Sequence, residues 1–492
     1  MNPAVKDLID IVGSDNFFND AETLELYSKD YSFTPRRRPS AVVKIKDPVV
    51  LQQVIDWANK TKTPLVPVSS GEPHFRGDTV PSVGGCVIVD LSSMNRIIRI
   101  NRLNRYVVIE PGVTYLQLQQ ELGRFGMRVP MPLLPKSGKS VLASLLEREP
   151  VMMPNIQWTL LDPLCCVGII WGCGKEYATG EAGYNVRVGA LKEQWEREMD
   201  QIFPYGPGMW DAHRIVSGAQ GTMGIVKWAS VRCELLPREY EVCFITSEKL
   251  ETLLKFLGRF LRFRYGDEII LLNNWNLASI LCKEISEIQS VAANLSRWSL
   301  IIVLAGYDIL PKERVAFQVE DTYNLAEQFG LKVQDSLPGV MNGKEIFALL
   351  SKPSEDPYWK MRWKGSFQEI FFLTTIKKIV EFEALMTSIA NESGYPASQI
   401  GCYIQPLHQG VTYHVEFDLP YDPAASKEAK TVEETFVKAS EVFFKHGAYF
   451  SRPYGIWSKM VYGSDYSSTY VLKEMKKIFD PNNIMNPGKL CF

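Results

Sequence analysis

The chain has 492 residues, 46% of them hydrophobic, which is enough for two cores and argues against extended disorder. Lys plus Arg number 54 against 56 for Asp plus Glu, a net charge of -2, which excludes a bulk attraction to nucleic acid or an anionic membrane. Nine cysteines are too sparse for a disulfide framework, and Cys165-Cys166 with Cys173 lacks a metal-ligand spacing, so no metal site is expected.

The first ten residues lack the pattern of a secretory signal, and no run reaches the 18 apolar residues of a membrane span; Leu160 to Cys173 is broken by Asp162-Pro163. The expectation is a cytoplasmic protein without a transmembrane segment. Residues 1–62 read as helical, with Leu8, Ile9 and Val12 on one face and a second helix over 49–58. Between them, Arg36-Arg37-Arg38 reads as a solvated turn and 41–45 as a strand.

From 65 to 113 the runs 65–68, 86–91, 97–100 and 106–110 read as strands, followed by a helix after Thr114 that presents Leu116, Leu118, Leu122 and Phe125. Residues 163–237 read as a second β-rich block. Over 241–447 strands (242–246, 300–305, 412–417) alternate with amphipathic helices (249–263, 313–329, 432–445), the pattern of an antiparallel sheet covered by helices. A last helix over 470–479 ends at Asp480-Pro481. The expected class is α+β, divided at 1–237, 238–447 and 448–492.

The segment Pro67-Val68-Ser69-Ser70-Gly71-Glu72-Pro73-His74-Phe75-Arg76-Gly77-Asp78-Thr79-Val80-Pro81 follows a strand and has the frame of a loop that turns backbone N–H groups towards an anion, because glycine permits φ > 0 and close approach. On its own such a stretch is also an ordinary turn. With Val87 to Ile97, Val107 to Tyr115 (through Pro111-Gly112), Tyr205 to Asp211, Gly221-Thr222-Met223-Gly224-Ile225-Val226 and Phe479 to Lys489, it resembles the FAD-binding (PCMH-type) domain of the vanillyl-alcohol oxidase and 4-cresol dehydrogenase family, in order and spacing, over nearly the whole chain.

The resemblance implies a two-domain flavoprotein whose cap (238–447) covers the flavin. It implies oxidation of a small aromatic or carboxylate-bearing alcohol, or an alkylphenol, by hydride transfer to FAD. The residues it assigns to the cofactor are Ser69, Ser70, Gly71, His74, Gly77, Pro111, Gly112, Ser140, Gly221, Gly224, Ile225 and Asn486. It implies a small-molecule substrate and a homo- or hetero-oligomer, with a redox partner subunit as one form.

Three departures accompany the resemblance. Glu72-Pro73 stands where relatives carry glycine, placing a carboxylate and a residue without N–H beside the expected pyrophosphate. Ser140-Val141-Leu142-Ala143 replaces a Gly-Gly segment and reads as a helix start. Three lost glycines at about 1 kcal/mol each amount to roughly two decades of affinity, and a carboxylate facing the phosphates adds to that loss. The alternatives are therefore retained FAD, or a flavin-free subunit serving as a structural or regulatory partner; Arg76 could neutralise Glu72.

The third departure is Ser451, at the position of a tyrosine that with Arg452 holds a phenolate in aromatic-alcohol relatives. Arg452 reads either as an anion holder or as an inter-domain salt bridge, and Tyr454 as a substrate hydrogen-bond donor or as packing. Some relatives tether FAD through a histidine one place before His74, and others through the cap. On 412–417, His414 and Glu416 share a face with Thr412, so His414 reads as a base, a flavin neighbour or a sheet histidine.

Overall fold

The computed structural model describes residues 3–155, 162–337 and 341–492. Met1, Asn2 and Leu160, which figure in the sequence readings above, lie outside the described residues.

The first sheet runs in the order Phe17–Phe18, Ala41–Lys44, Val87–Asp90, Leu65–Val68, with the last two and Ala41–Lys44 mutually parallel. A parallel pair needs a crossover, and Pro48–Thr61 supplies it. Asp47 caps that helix by accepting from the Val49 N–H, Pro48 occupies the first turn, and Lys62 ends it in the left-handed region. Its face of Leu51, Val54, Ile55 and Ala58 is buried against the sheet, where Leu8 and Val12 join the same core.

The second sheet is antiparallel, in the order Ile97–Asn101, Tyr106–Ile109, Gly224–Arg232, Leu164–Trp171, Glu176–Ala178. Cys165 and Cys166 are buried in its eight-residue strand as small apolar residues. The helix Tyr115–Gly123 begins at Thr114 as expected, but it buries Tyr115, Leu118 and Leu122 and leaves Leu116 and Phe125 outside. Tyr115 starts the i, i+3, i+7 stripe, so the face is rotated from the one expected. The block 163–237, expected as β-rich, also contains the helices Gly180–Tyr184, Leu191–Glu196 and His213–Val216, each too short for a clear periodic signal.

The third sheet has seven strands, in the order Val333–Gln334, Glu239–Ser247, Trp298–Gly306, Glu268–Asn273, Gly401–Leu407, Thr412–Tyr421, Ser366–Thr374. Every pairing is antiparallel, as expected for this class. Alternation along the strands divides its two faces. Cys243 and Ile245 pack with Phe256, Phe260, Phe382 and Phe443 of the covering helices, whereas Val242 and Phe244 pack with Val107 and Ile109 of the second sheet. Towards Thr412–Tyr421 and Ser366–Thr374 the second of these faces carries charge instead, and a cavity opens there.

The C-terminal residues return to the first sheet: the Leu65 N–H donates to Ile484 O (2.7 Å) and the Asn486 N–H to Leu65 O (2.8 Å). This sets Asn486 at the mouth of the loop after Leu65–Val68. Among the described residues no helix is long and apolar enough to cross a membrane.

Candidate active site

The cavity runs from Gly221, Gly224, Ile225 and Val226, past the loop Ser69 to Thr79 and the segment Pro135 to Ala143, to Glu369, Glu416, Arg452 and Tyr454 beneath the cap sheet. The space between these walls is about 1650 Å³, open mouth included.

Of the residues assigned to a cofactor by resemblance, Ser69, Ser70, His74, Pro111, Gly221, Gly224, Ile225 and Asn486 line this cavity. Gly71, Gly77, Gly112 and Ser140 stand behind its wall. The Gly71 N–H is bonded to Gly138 O (2.9 Å), tying the two loops together. Gly77, at φ 73°, gives its N–H to Asp30 and its carbonyl to Lys489; a Cβ there would fall 1.9 Å from Thr34 Oγ1. At Gly112 a Cβ would fall 2.4 Å from Ser92 O. These two glycines are required by packing.

Ser140 caps the helix Val141–Leu146, so the expected helix start is present. Its hydroxyl donates to Pro111 O (2.5 Å) and accepts from the Ala143 N–H (3.0 Å), while its own N–H bonds Ser70 Oγ (3.1 Å). Leu142 and Ala143, which stand for the lost glycines, face the cavity with apolar side chains.

Glu72 is half-exposed, 3.5 Å from the His74 ring, and Arg76 does not neutralise it. Arg76 is partly buried and bonds Glu147 (2.7 Å), Glu149 (2.6 Å) and Glu369 (2.7 Å). Burial opposes its charge, but Glu369, Glu149 and Glu147 raise its pKa well above the usual value. Lys139 shares two of these carboxylates, at 2.9 Å from Glu147 and 3.4 Å from Glu149. Lys136, also buried, instead donates to the carbonyls of Gly71 and Pro73. His74 is kept neutral, first by burial and then by Lys136 and Lys139.

On the cap side Lys360 holds three carboxylates: Glu369 (3.1 Å), Glu416, and Asp418 (3.1 Å). Register explains the cluster, since Glu369 is opposite Asp418 and Phe371 opposite Glu416 on paired strands. The three carboxylates are close enough to one another to suggest a cation site, and the Lys360 ammonium is the cation they hold. Against the burial penalty, Lys360 and His414 hold the Glu416 carboxyl well below its usual pKa. Burial raises Asp418, with Glu416 and Glu369 adding to the effect, to about 7.

The expected pairing of His414 with Glu416 is present at 3.2 Å, on the face shared with Thr412. Glu416 reaches the cavity and His414 sits one layer behind it, between the Tyr403 and Phe371 rings. Burial lowers the His414 pKa, so the ring is neutral.

Arg452 is 4% exposed and lies over the Phe371 ring at 4.0 Å. Among the described residues it has no salt-bridge partner, and its Nη1 has no hydrogen-bond partner. An inter-domain salt bridge is therefore not its role. Tyr454 packs edge-on to Phe371 and under the Arg76 guanidinium, and burial keeps its hydroxyl protonated.

Sequence reasoning missed Lys136, Lys139, Glu147, Glu149, Lys360, Glu369 and Asp418. A signal existed for Glu369, a charge within the run Ser366–Thr374 that is otherwise almost wholly apolar after Gln368. Lys360 lies in a short turn with no pattern to mark it.

Two family models match the chain: the FAD binding domain over residues 39–144, and the C-terminal domain of FAD linked oxidases over 416–490. The chain is 23% identical to D-2-hydroxyglutarate dehydrogenase of Stutzerimonas stutzeri over 99% of both chains. It is 26% identical to the 4-cresol dehydrogenase flavoprotein subunit of Pseudomonas putida over 37% of this chain and 35% of that one. In structure it is similar to substrate-bound p-cresol methylhydroxylase (TM-score 0.82, 20% identity, 100% of this chain and 96% of that one). The 4-ethylphenol oxidase of Gulosibacter chungangensis superposes equally well (TM-score 0.82, 17% identity, 99% and 96%).

The residues present fit FAD. Buried polar atoms that lack partners, Asn486 Oδ1 and Arg452 Nη1, belong to residues lining the cavity between the matched FAD-binding loops and the cap sheet. The carboxylate of Glu72, half-exposed, does not close it.

Proposed function

We propose, from the premise that the chain belongs to the FAD-linked oxidases and dehydrogenases of the p-cresol methylhydroxylase and vanillyl-alcohol oxidase type, that it oxidises a small alcohol, hydroxy acid or alkylphenol bearing an oxyanion. The observation that carries this reading is Arg452, a buried guanidinium in the cavity with no carboxylate bonded to it. Leaving a buried charge uncompensated is costly, and an anionic ligand relieves that cost.

FAD, when bound, supplies the hydride acceptor. The chain supplies position, charge and proton. Ser69, Ser70, Gly221, Gly224, Ile225 and Asn486 hold the cofactor along the cavity. Arg452, fixed flat on Phe371, receives the substrate's carboxylate or phenolate, with the Tyr454 hydroxyl as a second donor.

The proton released from the substrate hydroxyl passes to Glu416, the carboxylate that lines the cavity, and from it to the neutral His414 imidazole bonded behind it. Glu416, held by Lys360, is ionised at neutral pH and stabilises the imidazolium that forms. The cap sheet roofs the cavity and excludes water from these charges.

The reading is tested by the visible spectrum of the purified protein, with FAD added where none is carried, and by kinetics of Arg452→Ala. The expected result is a bound flavin and a raised KM for anionic substrates, with neutral analogues little affected. A protein that takes up no FAD, or a variant with unchanged kinetics, overturns it.

A further inference from the structure

Six cationic or potentially cationic side chains line the cavity: His74, Arg76, Lys136, Lys139, Lys360 and Arg452. His74 is neutral, and Arg76, Lys139 and Lys360 are each bonded to buried carboxylates. Two cations remain without a carboxylate partner among the described residues. Arg452 lies beneath the cap, and Lys136 lies far from it along the chain, against the loop that follows Leu65–Val68.

Lys136 is 7% exposed. Its ammonium donates to the Gly71 and Pro73 carbonyls, which orient it, and no carboxylate is bonded to it. Of the loop amides beside it, the Gly71 N–H is spent on Gly138 O, and Pro73 has none. The ammonium thus stands beside two positions that offer an anion no backbone donor.

We propose that Lys136 is the residue that holds the FAD pyrophosphate in this chain, a buried side-chain cation supplying charge beside the two loop positions, Gly71 and Pro73, that have no amide to give. This inference rests on the reading that the chain binds FAD. A lysine ammonium is a point charge on a flexible stem and can meet a phosphate without a fixed fork geometry, whereas Glu72, half-exposed beside His74, leaves the anion site to it.

The protonation of Lys136 gives the site a pH dependence. The groups facing it are Lys139 on its own segment, Glu72, His74 and Asp78 on the loop, and Glu147 at the end of the helix Val141–Leu146. Burial, aided by Lys139 and opposed by Glu72, Glu147 and Asp78, lowers it to about 7. Binding of a pyrophosphate must draw a proton onto this amine above that pH, so affinity falls as pH rises, by about tenfold per unit at the limit.

The test is the dissociation constant of FAD, ADP and riboflavin for the full chain and for Lys136→Met and Lys136→Arg, read by flavin fluorescence quenching and, for ADP, by displacement of FAD. The expected result for Lys136→Met is a loss of about 10- to 100-fold for FAD and ADP, riboflavin affinity unchanged, and partial rescue by Lys136→Arg. The unsubstituted protein shows FAD affinity falling between pH 7.5 and 9, and Lys136→Met shows a flat profile.

Equal FAD affinity in Lys136→Met, or a loss shared equally by riboflavin, overturns the proposal. Should Lys136→Met fail to fold, a flat pH profile in the unsubstituted protein overturns it alone. A protein that takes up no flavin of any kind defeats the functional reading itself, and is thereby distinguished from a protein that binds FAD without help from Lys136.

Discussion

Arg76 Nε stands 2.7 Å from Oε1 of Glu369, joining the loop after Leu65–Val68 to a strand of the cap sheet across a buried boundary. Around this contact, Glu147 and Glu149 complete the coordination of the guanidinium from a third element. The cavity is therefore closed at one end by an ionic knot, where an apolar wall would also have served.

Arg76→Met tests that knot. Removing one partner of a buried pair strands the other, and here three carboxylates lose their common cation, with Lys139 and Lys360 left to share them. The expected cost is about 3–5 kcal/mol of stability, seen as a lowered midpoint in thermal or urea unfolding; Glu369→Gln, which strands less charge, costs less. Unchanged unfolding in Arg76→Met would show the knot to be energetically idle.

Asp418 gives a stability term with a definite sign in pH. Its folded pKa of about 7 lies above the usual 3.8, so the fold favours the protonated acid. Stability from this group is greatest below pH 3.8 and is lost as pH rises towards 7. Asp418→Asn keeps the neutral form at every pH. Its unfolding free energy relative to the unsubstituted protein should rise by about 1–3 kcal/mol between pH 5 and 8. Glu416, Glu369 and Glu149, whose pKa values are lowered, act in the opposite sense only below about pH 4.5, outside that window. A difference independent of pH would contradict the assignment.

Gly221 has φ 70°, and a Cβ there would meet the Pro67 ring at 2.4 Å. Proline cannot swing aside as a long side chain can. Gly221→Ala is expected to lose about 2–4 kcal/mol from the left-handed backbone and the overpacking together. Gly84→Ala, where a Cβ meets nothing within 4 Å, is the matched control and should melt with the unsubstituted protein.

His414→Gln separates proton transfer from binding. Its imidazole stands behind Glu416, outside the cavity lining, so kcat should fall by about 100-fold or more with KM for the anionic substrate little changed. A change confined to KM would place His414 among the binding groups.

Much of the fold was legible because period and punctuation agreed. Asp47-Pro48 and Thr114 marked helix starts that the structure contains, and the alternation in 412–417 foretold which of its residues share a face. The helices within 180–216 escaped because four to six residues cannot display a 3.6-residue period.

The site was legible only in part, and for a physical reason. Arg452, His414 and Glu416 could be named because family spacing or strand alternation singled them out. Lys360, Asp418 and Glu149 carry roles that exist only once strand register and chain crossing bring distant charges within bonding distance. The glycine losses at Leu142 and Ala143 were visible as absences, but nothing local disclosed that a buried amine six residues upstream of Leu142 remained without a carboxylate partner.

The cap sheet separates two jobs by parity. Along Ser366–Thr374, Phe367 and Glu369 line the cavity while Ile370 and Phe372 enter the helix-packed core, and Thr412–Tyr421 repeats the division with Glu416 against Val415 and Phe417. The core-facing residues keep the cap folded whatever stands on the other face, but Glu369, Glu416 and Asp418 share the Lys360 ammonium, so a single exchange among them strands charge on the others and specificity here changes only in concert.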